Sequence, residues 1–297
     1  MPASGLLPAR WIRGHGLGNS EYMAYRLNSR ETFAAAIKAA AQAEVTAAAT
    51  ASGELPEPEA VHELRKHCKK MRALLRLIRG GHEALYRREN AHYRTLARRL
   101  AANRDMVSVC DAYAAIATPQ DFPRIHTFIA ARSGRRDRAA LAQAAESLRR
   151  GAGRIPDWPL ADLRWRQGKR GFFRAYERAH KLKARAIPRG AAGALHEYRK
   201  RTKDHWYHCR LLQERYPSLA GRCAPLEALS QMLGDWRDLH LLCELLAAER
   251  EIPPGELVPL LEIAGQRGAT LYRGIQRLSA DLFPVGKTAL PLTRGHK

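Results

Sequence analysis

Residues 61–66 read VHELRK, and residues 195–200 read LHEYRK. A basic stretch follows each of them. Further along, residues 96–105 read LARRLAANRD and residues 229–238 read LSQMLGDWRD. The first pair is separated by 134 positions (195 − 61) and the second by 133 (229 − 96). Two motifs that recur in the same order at nearly one spacing mark an internal duplication. Cys110 and Cys243, also 133 apart (243 − 110), keep the same register. The expected division is a loose N-terminal arm over 1–24, a first half over 25–150, a linker over 151–164, a second half over 165–285 and a tail over 286–297.

Around these motifs the patterning is helical. Val61, Leu64, Cys68, Met71, Leu75 and Ile78 fall on one face at helical spacing. The periodicity and the breakers predict helices near 29–51, 60–79, 82–101, 104–117 and 124–150 in the first half. In the second half they fall near 168–187, 192–215, 218–233, 235–250 and 255–282. The Gly- and Pro-rich GAGRIPDWP at 151–159 separates the halves. Alternating strand runs are missing, so the expected fold class is all-α, built as helical bundles.

Cations line the motif helices. His62, Arg65, Lys69, Arg72 and Arg76 stand at i, i+3, i+7, i+10 and i+14, one stripe along a helix. It lies roughly a quarter turn from the apolar face and so borders the core. In the second half the stripe reads His196, Arg199, Lys203, Trp206 and Arg210, with one aromatic in place of a charge. The preceding helix adds Arg170, Arg174, Arg178, Lys181 and Arg185. A solvated helix face ordinarily mixes signs, so that neighbours attract. Here acids are scarce, and each like-charged neighbour costs roughly 0.2–0.5 kcal/mol. A bound anion would offset that repulsion. The first stripe is about 21 Å long at the helical rise, a length suited to a chain of phosphates. Arg offers a fork of donors to phosphate oxygens and Lys a point charge.

The whole chain agrees with this sign. Of its 297 residues, 51 are Lys or Arg and 29 are Asp or Glu, a formal charge of +22 that attracts anionic polymers or surfaces. The five cysteines are odd in number and form no CxxC, which argues against a disulfide framework or a zinc site and for free thiols in a reducing cytoplasm. No apolar run approaches the ~18 residues of a membrane span, and the first twenty residues lack a leader-like apolar stretch. A cytoplasmic location is the expectation. P-loop, HExxH, GxSxG and dinucleotide fingerprints are all missing, as is any nucleophile beside its base. His205 and His208 share a face, but no nearby carboxylate or thiol set completes a metal site. The expectation is therefore a non-catalytic protein without metal or cofactor.

The repeated H-E-x-R-K helix with trailing cations, together with LGDWRD at 233–238, resembles the CHAD domain, the conserved histidine α-helical domain. In the first half the second segment reads LAANRD, with Ala101 where the family has Gly. The resemblance spans about 25–285. It implies two four-helix bundles related by a pseudo-twofold axis and a basic central surface or pore that binds inorganic polyphosphate, in association with polyphosphate granules and their proteins. The implied contacts are His62, Arg65, Lys69, Arg72 and Arg76 in the first half, and His196, Arg199, Lys203 and Arg210 in the second; Lys66, Lys200 and Arg237 are further candidate contacts from the same motifs. Arg170, Arg174 and Arg178 join them from the stripe before the second motif. The alternative partner is a nucleic-acid backbone. Aromatics form only 7% of the chain and none interrupts the first stripe, but Trp206 and Tyr207 could serve as stacking platforms. Arg104–Asp105 and Arg237–Asp238 read equally as anion contacts or as structural ion pairs.

Overall fold

The computed structural model describes residues 25–100, 104–132, 138–284 and 292. The expected arm at 1–24 lies outside them, as does nearly all of the tail at 286–297. Among the described residues the chain is all-helical: α1 (Phe33–Glu54), α2 (Glu57–Ile78), α3 (Glu83–Arg99), α4 (Arg104–Ala114), α5 (Pro123–Arg132), α6 (Arg138–Gly153), α7 (Trp165–Ala186), α8 (Ala192–Leu212), α9 (Ala220–Ala247) and α10 (Pro254–Leu282), with a single 3-10 turn at Pro217–Leu219.

The element order repeats as the motifs do. α1 and α7 are offset by 132 at both ends (165 − 33, 186 − 54), and α2 and α8 end 134 apart (212 − 78). α3 with α4 corresponds to the single long α9, and α5 with α6 to the single long α10. Two expectations change here. The segment 124–150, expected as one helix, is divided between α5 and α6. The pair expected at 218–233 and 235–250 is one continuous helix. Gly234 does not break it, because its missing side chain is used for packing: a Cβ there would stand 2.8 Å from Arg199 Nη2.

α2 is the hub. It packs on α1, α3, α6, α7 and α8. Leu64, Cys68, Met71, Leu75 and Ile78 are all at most 1% exposed, as their spacing predicts, and Ala73, Leu74 and Leu77 are buried as well. Each buried Leu stabilises the fold by about 1.5–3 kcal/mol. The Ala-rich α1 starts at Thr32, whose hydroxyl accepts from Ala35 N at 3.2 Å. It carries one buried acid, Glu44, which accepts from His67 Nδ1 at 2.6 Å and from Lys70 Nζ at 3.2 Å. Burial alone would raise this carboxyl, but His67 and Lys70 hold it below its usual range.

The segment 151–164 is packed rather than loose. Ile155, Trp158, Leu160 and Leu163 are each 1% exposed and join the main core. That core draws on α1, α2, α3 and α6 of the first half and on α7, α8, the start of α9 and the end of α10. A second core is equally mixed. Val109, Tyr113, Phe122, Ile125 and Ile129 from α4 and α5 pack with Leu239, Leu242, Leu246, Leu260 and Leu271 from α9 and α10. Neither core belongs to one half. The residues before α1 also touch both: Leu27 N donates to Leu211 O at 2.8 Å, and Tyr25 Oη donates to Lys70 O at 2.8 Å.

A buried histidine fastens the halves together. His208 on α8 donates from Nε2 to Ala73 O on α2 at 2.8 Å and has no exposed surface. Burial pushes its pKa down to about 4, although the Ala73 hydrogen bond and Asp204 act to raise it and Arg76 acts with burial. The unfolded chain binds this proton near the ordinary value of about 6.5. The associated stability is therefore complete above that value and lost as pH falls through about 4, an effect of about 3 kcal/mol. Thermal melts between pH 7 and pH 4 are expected to show the loss, and His208→Gln to reduce it, with buried His205, also depressed by burial, retaining a part.

Candidate functional site

The structure sorts the predicted cations by what they touch. The two motif glutamates pair one turn along their own helix: Lys66 with Glu63 at 2.9 Å and Lys200 with Glu197 at 2.5 Å. The two motif arginines reach to the next helix. Arg65 Nη1 donates to Ala97 O and Leu100 O, both at 2.9 Å, where the carbonyls at the end of α3 need donors. Arg199 Nε donates to Ser230 O at 3.2 Å, in the space that Gly234 leaves. Positions 97 and 230 are themselves 133 apart, so both halves make one clamp. Arg65 and Arg199 thus have a structural job that their spacing did not reveal.

Arg237 is likewise engaged. It pairs with Asp238 and, across the halves, with Asp105 of α4, each at 3.1 Å. For this residue the ion-pair reading of the Arg–Asp motif is the one the structure displays. The side chain of Arg104, like Ala101, lies outside what is described. Arg210 departs from expectation. It is 1% exposed and lies over the Trp206 ring at 5.3 Å, so it faces the core and not an open surface. Trp206 and Tyr207 are buried too, stacked on each other at 4.8 Å. Lys203 sits above both rings, half-buried.

A further group of cations gathers where α2, α7 and α8 meet. Gly171 allows this meeting: an added Cβ would stand 1.9 Å from Leu77 O, so α7 runs directly against the backbone of α2. Arg72 donates to Asn90 Oδ1 at 3.1 Å. Burial and then neighbouring Arg76 push its pKa down to about 10, with Asp204 opposing. Arg76 and Arg201 share Asp204, each at 2.9 Å, which ties α2 to α8. Arg178 is depressed by burial and by Arg201, Arg174 and Arg79. Arg79 pairs with Glu83 and covers Tyr86 at 4.7 Å. Six arginines (Arg72 and Arg76 of α2, Arg79 just past its end, Arg174 and Arg178 of α7, and Arg201 of α8) thus share a seam with two acids, Asp204 and Glu83.

Arg79, Arg201 and Asp204 were not singled out from sequence. Asp204 had a visible signal, being the only acid between Tyr198 and Gln213. The other predicted residues lie elsewhere. His62 is exposed at the start of α2, and Lys69 is half-buried on the same stripe. His196, Lys200, Arg199 and Arg237 form a second cationic group on α8 and α9, where burial and those three charges lower the His196 pKa. Arg170 is exposed on α7 beside a shallow open groove of about 480 Å³, lined by Arg166, Lys169, Arg170, Phe173, Arg174 and Glu177. His205 and His208, weighed as metal ligands, are both buried; His205 packs among Phe172, Tyr176 and Phe283.

An all-helical repeat with a cationic seam between its halves is the class of protein that this geometry defines. The CHAD domain profile matches residues 33–247, more than half of the chain, and the protein belongs to the CHAD domain family. Among solved structures, the CHAD domain from the plant Ricinus communis is similar in fold, with a TM-score of 0.58 and 17% identity. That alignment covers 89% of this chain and 96% of the plant one. Comparison with curated proteins gives no match.

Proposed function

We propose that this protein binds inorganic polyphosphate without chemistry, as a linear polyanion held at the α2–α7–α8 seam. The observation that carries the proposal is the imbalance there, six guanidinium groups against two carboxylates, with Arg72 and Arg178 depressed first by burial and then by neighbouring arginines. A chain of phosphates supplies the missing negative charge and the acceptors that several arginine forks require. Family membership supports the same reading. A nucleic-acid backbone would meet the same charges, but base stacking needs exposed rings, and Trp206 and Tyr207 are committed to the core. Among the described residues no three His, Cys, Asp or Glu side chains gather to hold a metal ion, and no helix is long and apolar enough to cross a membrane.

Competition at physiological salt tests the proposal. Long polyphosphate is expected to displace single-stranded RNA and duplex DNA at matched phosphate concentration, and to keep its chain length during incubation with the protein, with or without Mg²⁺. Nucleic acid winning the competition would reject polyphosphate as the ligand. Chain shortening beyond stoichiometry would reject the non-catalytic reading. Association with polyphosphate granules belongs to the same proposal and is read by co-localisation in cells.

A further inference from the structure

α1 and α7 hold equivalent places in the duplication, yet their chemistry is opposite. α1, FAAAIKAAAQAEVTAAATASGE, has one Lys and two Glu. α7, WRQGKRGFFRAYERAHKLKARA, has eight Lys or Arg and one Glu. The buried face of α7 is Gly168, Gly171, Phe172, Ala175, Tyr176 and Ala179. Arg166, Lys169, Arg170, Arg174 and Arg178 are all exposed on the other side. None of these five takes part in an ion pair among the described residues. Arg174 and Arg178 belong to the seam, and the open groove runs from Arg174 toward Arg166. Arg166 and Arg178 are 12 residues apart, about 18 Å along the helix axis. Folding alone gains little from such a row, because its charges repel one another and Glu177 is the one acid that lines the groove.

Resting on the polyphosphate reading of the seam, we infer that the N-terminal part of α7 is a one-sided track: a polyphosphate chain held at Arg174 and Arg178 continues along the exposed groove to Lys169 and Arg166. Short chains fill the seam only. Longer chains reach the track, and their added contacts form intramolecularly, at high effective concentration. α1 has no such row, so a long chain leaves the seam in one direction. The protein then discriminates by chain length, and its two halves contribute unequally.

The test uses the full chain and an Arg166→Ala/Lys169→Ala variant, titrated with tripolyphosphate, a medium chain and a long chain at one salt concentration. Wild type is expected to bind the longer chains increasingly tightly. The variant should bind tripolyphosphate as wild type does and lose about tenfold in affinity for the longer chains. Both changed residues are exposed, so melting temperature and helical content should hold; an Arg166→Gln/Lys169→Gln variant repeats the test with longer polar side chains. Identical length dependence in wild type and variants would overturn the track while leaving the seam reading intact. Wild type that binds no polyphosphate of any length would remove the seam reading, and the track with it. Single-stranded RNA of matched phosphate number showing the same dependence on Arg166 and Lys169 would overturn the assignment of the track to polyphosphate.

Discussion

Arg174→Glu combined with Arg178→Glu is expected to lower the affinity for long polyphosphate by at least about 100-fold at physiological salt. Each arginine offers hydrogen bonds to a charged acceptor, typically worth about 1.5–3 kcal/mol, and reversal adds repulsion. Both side chains are exposed and lie amid like charges, Arg178 beside Arg79, Arg174 and Arg201. Reversing them relieves that repulsion, so thermal stability should stay the same or rise. Titration across a salt series gives a second readout. Loss of two phosphate contacts should make the dependence of log affinity on log salt shallower by about 1.4, using the slope for single strands. A double variant that binds with wild-type affinity and slope would place the ligand away from the seam.

Among the described glycines, Gly171→Ala should be the most damaging added methyl. The new Cβ would overlap Leu77 O at 1.9 Å, and the next nearest atoms, Leu77 C and Cα, also belong to the backbone of α2. No flexible side chain can yield, so α7 must shift off α2. Overpacking of this kind costs about 1–3 kcal/mol and more when backbone has to move. The ordinary gain of Ala over Gly in a helix, about 1 kcal/mol, offsets only part of that. A fall in melting temperature of about 5 °C is expected from a net loss near 3 kcal/mol. Gly265→Ala is the control: it lies within α10 with nothing inside 4 Å of the added carbon, and it should be neutral or stabilising. Gly171→Ala should also weaken polyphosphate binding, because the same approach brings Arg174 and Arg178 to Arg79.

Helical class, duplication and the buried face of α2 were legible because each depends on residues close together in sequence. The same holds for the half-buried row of Arg65, Lys69, Arg72 and Arg76, which a quarter-turn displacement from the apolar face requires. What each arginine touches was not legible. Arg65 and Arg199 answer carbonyls on the following helix, some thirty residues away in the chain. Arg76 and Arg210 are equivalent by register, but Arg76 meets Asp204 while Arg210 lies under Trp206. The continuity of α9 was hidden for a related reason: Gly234 looks like a breaker until the guanidinium that needs its space is known.

The mixing of both halves in both cores bears on how such a chain could arise. A single-repeat ancestor, folded alone, would have left the faces of α4 and α5 bare, with no α9 and α10 of a second repeat to cover them. Exposed apolar area on that scale drives association. A single repeat is therefore expected to pair with a second copy, a concentration-dependent association that the covalent link between the halves makes permanent.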